Sequence, residues 1–143
     1  MLAGACSGTP RLTAPRVHGA AARACADLVS ALPDRVADQG RREVDTGAGY
    51  GAAWGDPPIE LRCGVPRPRG LDAYAACQVV NGVGWFLPEA ELRRGSGPLT
   101  MTTVGRSTYV QVRVPQDYLP PAATMADLAA AVRRSVPQVR PCV

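Results

Sequence analysis

The side chains in this sequence with the means to do chemistry are few. They are the cysteines Cys6, Cys25, Cys63, Cys77 and Cys142, the single histidine His18, and two carboxylates, Asp56 and Glu60, close enough in sequence to act as a pair. The odd number of cysteines becomes informative once Cys6 is set apart. It follows Leu2-Ala3-Gly4-Ala5 and leads into the polar Ser7-Gly8-Thr9-Pro10, which reads as the end of a bacterial lipoprotein signal whose cysteine is acylated and becomes the new N-terminus. Ala3 stands where such signals usually carry leucine, and no charged and apolar regions precede it, so this reading requires an upstream start. The plain alternative is a chance Ala-Gly-Ala-Cys in a chain rich in alanine and glycine.

In an exported chain the remaining four cysteines would form two disulfides, with three connectivities open. Cys63 and Cys77 flank the turn-rich Gly64-Val65-Pro66-Arg67-Pro68-Arg69-Gly70, so the expected pairs are Cys63 with Cys77 and Cys25 with Cys142. Treated as lost chain entropy, the short bridge would contribute roughly 3 kcal/mol and the long one, locking both ends of the chain together, roughly 5 kcal/mol. Metal binding is the rival use of cysteine, but there is no Cys-x-x-Cys pair and His18 is far from a second ligand, so no metal is expected.

Other chemistries fail on spacing. Gly47, Gly49 and Gly51 do not complete G-x-G-x-x-G, no lysine exists to finish a phosphate-binding loop, and the nucleophile elbow G-x-S-x-G is missing. No cofactor and no catalytic residue is therefore assigned. One enzymatic alternative survives, an envelope hydrolase with Asp56 and Glu60 as acid and base and Arg62 holding an anion. Glu89 and Glu91, beside Pro88, read instead as a solvated turn. The candidate binding surface is Tyr50, Trp54, Asp56 and Arg62: Trp54 offers a flat apolar face, Asp56 a charge ahead of Pro57, and Arg62 a planar donor fork. Against this, Trp54 could fold down over the sheet edge as a core plug with Asp56 capping its turn.

The elements that must position these residues follow from periodicity. Cys25, Leu28, Val29 and Leu32 recur at helical spacing until Pro33, and Met125, Leu128, Ala129 and Val132 do so until Pro137, with Thr124 as cap and Asp127 in a weak capping box. Ile59, Leu61, Cys63 and Val65 alternate with Glu60, Arg62 and Gly64, as in a half-buried strand. Gln78-Val79-Val80 and Val83-Gly84-Trp85-Phe86 flank Asn81-Gly82, a strong hairpin signal, and Thr100 to Val104 and Tyr109 to Val114 flank Gly105-Arg106-Ser107. Gly40 to Pro58 shows no period and reads as a long loop. The expectation is an α+β domain, a mostly antiparallel sheet of four or five strands covered on one face by the N-terminal and C-terminal helices. Residues 1–19 would be a signal remnant and tether, and residues 20–143 a single disulfide-bonded domain.

Composition bounds the rest. With 143 residues, 46% hydrophobic and 20% charged, the chain suits one globular domain rather than a disordered one, and no apolar run approaches the roughly 18 residues that span a bilayer. The net charge of +4 rests wholly on arginines scattered from Arg11 to Arg140, with few aromatics to stack on bases, so nucleic acid is not an expected partner.

Cys25-x-x-Leu28-x-x-x-Leu32-Pro33, Ala53-Trp54-Gly55-Asp56-Pro57, Leu61-Arg62-Cys63-Gly64-Val65, Val80-Asn81-Gly82-Val83-x-Trp85-Phe86 and Tyr109-Val110-x-Val112-x-Val114-Pro115 together resemble an actinobacterial family of small exported or lipid-anchored proteins, domain of unknown function 3515. The resemblance spans roughly residues 20 to 142 and implies a domain outside the cytoplasmic membrane; it implies no activity. The functional expectation is a noncatalytic cell-envelope domain, secreted or a lipoprotein on the outer face of the cytoplasmic membrane. It would bind an envelope protein, peptide or wall component and touch the membrane only through the anchor on Cys6.

Overall fold

The structure, a computed structural model, describes residues 8–142. Cys6, the expected acylation site, lies outside the described residues. The apolar stripe around Cys25 and Leu28 forms helix α1 (Gly19–Ala31), and Pro33 follows two residues after it ends. The stripe around Leu128 forms α3 (Ala122–Ser135), and a short α2 (Glu89–Arg94) takes the place of the turn expected at Pro88. Between and beside them run β1 (Arg35–Val36), β2 (Gln39–Arg42), β3 (Tyr50–Trp54), β4 (Ile59–Val65), β5 (Cys77–Val80), β6 (Val83–Phe86), β7 (Leu99–Val104) and β8 (Tyr109–Val114). The strands make one antiparallel sheet in the order β1-β2-β3-β4-β8-β7-β6-β5.

The expected α+β class holds, but the sheet has eight strands, not four or five. All five periodic strands form; β1, β2 and β3 come from residues 35–54, most of which lacked any period. The reason is visible in β3. Tyr-Gly-Ala-Ala-Trp is buried on both faces from Gly51 to Trp54, so the alternation that marks a half-exposed strand never appears. On one face Ala52 and Trp54 join the core beneath the helices. On the other, the N-terminal segment lies over Gly51, where a Cβ would stand 2.6 Å from both Leu12 Cδ2 and the Leu61 carbonyl oxygen. Glycine is there because another piece of chain needs its volume.

Residues 10–17, read as part of a tether, are thus bound to the domain. Leu12 is 1% exposed, its N–H donates to the Asp45 carbonyl at 2.9 Å, and the Asp45 N–H donates to Pro10 at 3.0 Å. Arg62 Nε donates to the Thr13 carbonyl at 2.9 Å. The opposite face carries α1 and α3, whose Cys25, Leu28, Met125, Leu128 and Val132 pack with Leu61, Trp85, Val110 and Val112.

The disulfides differ from the expected pairs. Cys25 bonds Cys63 and Cys77 bonds Cys142, with Cα separations of 5.6 and 6.2 Å. The expected Cys63–Cys77 bridge is ruled out by topology: β4 and β5 are four strand positions apart, roughly 19 Å at strand spacing, against the Cα limit of about 7 Å for a disulfide. Cys63 points inward on β4, whose inward positions are all buried, and there meets α1. Cys77 starts β5 opposite Phe86, and the chain beyond α3 returns past Gly105 to meet it, Val139 and Arg140 both donating to the Gly105 carbonyl at 2.7 and 3.1 Å.

Two smaller corrections concern α3. Thr124 lies inside the helix, fully buried, rather than capping it, because the helix starts earlier with Pro121 at the cap position. Asp127 accepts instead from the Ala37 N–H at 2.9 Å, tying the β1–β2 turn to the helix.

Candidate functional site

Of the surface expected between Tyr50 and Arg62, the structure keeps little. Trp54 ends β3 with no exposed surface, and its indole N–H donates to the Pro33 carbonyl at 3.0 Å just beyond α1. It is a core plug and no part of a binding surface: β3 runs under α1 and turns Trp54 into the core. Tyr50, half-buried against that core, sits at the other end of the same strand, roughly 13 Å away at about 3.3 Å per residue. Asp56 is exposed on the following turn, 3.8 Å from Arg42. Arg62 spends its fork on Thr13 and on Glu60, 2.9 Å away, so it clamps the N-terminal segment to β4. The four residues do not converge on one patch.

The hydrolase pair fares similarly. Both oxygens of Glu60 face guanidinium groups, Oε2 at 2.9 Å from Arg62 and Oε1 at 3.9 Å from Arg113, while Asp56 faces Arg42. Beside Asp56, the Tyr118 hydroxyl donates to the Pro57 carbonyl at 2.8 Å. Burial raises the pKa of that phenol above its ordinary value, and the charges of Asp117 and Asp56 add to the effect. His18 is an exposed residue at the start of α1, and all four described cysteines are in disulfides. Among the described residues no three His, Cys, Asp or Glu side chains gather as metal ligands would, and no helix is long and apolar enough to cross a membrane.

The open feature lies at the other end of the sheet. Among the described residues, strand β5 is outermost and pairs only with β6. Its hairpin is held rigidly: Arg106 donates to the carbonyls of Val136 and Gly82 at 2.8 and 3.0 Å, Arg133 donates to Asn81 at 3.0 Å, and the Cys77–Cys142 bridge fixes the start of the strand. Burial, and then the neighbouring charge of Arg133, lower the pKa of the Arg106 guanidinium from its ordinary value. Beside β5 runs a groove of about 740 Å³ between the 69–76 loop and α2, with Phe86 and Leu87 among its lining and Tyr74 and Leu92 at its sides. Tyr74 is 96% exposed and Leu92 53%, both on this groove, and Val79 on the neighbouring strand β5 is 59% exposed. Sequence reasoning did not single out these residues. The one available signal was an aromatic residue, Tyr74, in an Asp-Ala-rich turn with no periodic element to bury it.

Comparison with curated proteins and with solved structures yields no match. The family model described as "Protein of unknown function (DUF3515)" matches residues 7–141, nearly the whole chain and all of the strands and helices above, and this chain belongs to that family.

Proposed function

We propose that this chain is a noncatalytic domain that works outside the cytoplasm and binds an envelope protein, a peptide or a wall component, joined to the outer face of the cytoplasmic membrane through an acylated Cys6. The observation that carries the reading is the pair of disulfides. One staples α1 to the sheet and the other staples the chain beyond α3 to its outer strand, and such bridges persist in oxidising compartments. The anchor itself is supported by the sequence around Cys6 alone. Noncatalytic binding is supported by carboxylates engaged with arginines and by the exposed apolar side chains at the β5 end.

The test uses the full-length gene in intact cells. Alkylation in denaturant after acid quenching of the intact cells should find Cys25, Cys63, Cys77 and Cys142 already oxidised, mass mapping should recover a diacylglycerol on Cys6, and crosslinking should capture a partner. Four alkylatable thiols in the native protein, together with an unmodified Cys6, would sink the extracytoplasmic reading.

A further inference from the structure

The sheet has two edges, and they are built differently. Strand β1 is two residues long and its turn is pinned to α3 through Asp127 and Ala37, so it offers little backbone to another strand. Strand β5 is open. The turn at Asn81 and Gly82, with φ of 49° and 83°, makes Val80 and Val83 the hydrogen-bonded pair beside it. Alternation along the ladder then directs the backbone of Gln78 toward β6, and the N–H and C=O of Cys77 and Val79 away from the sheet. The strand Cys-Gln-Val-Val carries neither proline nor charge, the usual protections of a free edge. Val79 is exposed on it, and the groove walled by Tyr74, Phe86 and Leu92 adjoins it at Gln78.

We propose that the β5 edge and this groove form a docking site for an extended peptide segment of a partner protein, which adds a strand beside β5 and seats an apolar side chain in the groove. The proposal rests on the reading of the chain as a binding domain and names the chemistry of its partner. Outward donors and acceptors on alternate residues match the repeat of another extended backbone. The groove calls for a large apolar side chain at one position of that backbone. A second copy of this chain, paired through its own β5, would present Val79 and leave most of 740 Å³ empty. The hairpin clamped by Arg106, Arg133 and the disulfide is already rigid, which lowers the ordering cost of adding a strand.

The test is selection of random linear peptides displayed on phage against the oxidised protein, followed by binding and amide-exchange measurements with a selected synthetic peptide. Selected peptides should alternate apolar and polar residues, and binding should slow exchange at Cys77 and Val79, leaving Gln78 and Val80 as they were. Val79→Pro, which removes an outward N–H and keeps the β5–β6 ladder, should weaken binding about tenfold, the scale of one hydrogen bond made in the complex. The paired change Tyr74→Ser and Leu92→Ser, at exposed positions, should weaken binding at least as much with an unchanged melting temperature, so a poorly folded proline variant does not decide the matter. Failure to select any peptide, protection elsewhere on the surface, or native affinity in the Tyr74/Leu92 variant would overturn the proposal. So would a dimer in sedimentation with Cys77 and Val79 already protected, which would give the edge to a second copy. A partner crosslinked in cells that still binds the Tyr74/Leu92 variant would remove this docking site and leave the binding-domain reading standing.

Discussion

Trp54 shows how one side chain can carry two readings until its neighbours are known. The sequence marks it as a large apolar residue before a turn; burial under α1 and the bond to Pro33 make it part of the core. Trp54→Ala should therefore cost about 3–5 kcal/mol by leaving a cavity and an unpaired carbonyl, read as a lowered midpoint in denaturant unfolding. Tyr118 gives a prediction in pH. Its phenol ionises later in the folded protein than in the unfolded chain, so the folded state holds more protons as pH rises past about 10. Stability from the neutral phenol is complete below that pH and is lost as pH climbs through the raised folded value. Tyr118→Phe should flatten this alkaline decline and cost about 0.5 kcal/mol at neutral pH, since its bond to Pro57 is exposed. Stability measured across alkaline pH in both proteins checks it.

At the scale of elements, what could be read depended on how many faces each element buries. β4 alternates because its outward residues Glu60, Arg62 and Gly64 are only half covered, and the β5–β6 hairpin is announced by Asn81-Gly82; both were legible. β3 was not, since the N-terminal segment on one face and α1 on the other turn it into an unpatterned run of small residues ending in Trp54. The same contact sets a prediction. Gly51→Ala should destabilise by about 1–3 kcal/mol, because one of the two atoms in its way is the backbone oxygen of Leu61, which cannot rotate aside. Leu12→Ala should cost about 2–5 kcal/mol although it lies in a stretch that looks like a tether, and thermal unfolding of the two variants measures both.

For the whole molecule, the disulfides close separations of 38 and 65 residues, each worth about 4 kcal/mol as lost chain entropy. They differ in access. Cys25 and Cys63 are fully buried while Cys77 and Cys142 are partly exposed, so mild reduction followed by alkylation should label Cys77 and Cys142 first. By itself the sequence determined the α+β class, the two long helices, five strands and the set of cysteines that pair, because each depends on local period, turn chemistry or count. Tertiary structure alone decided which cysteine meets which, which strand stands at the open edge, and whether Trp54 faces solvent. Those outcomes depend on strand order and on which face each chain segment crosses, and β4 and β5, neighbours in sequence, end four positions apart because β8, β7 and β6 come between them.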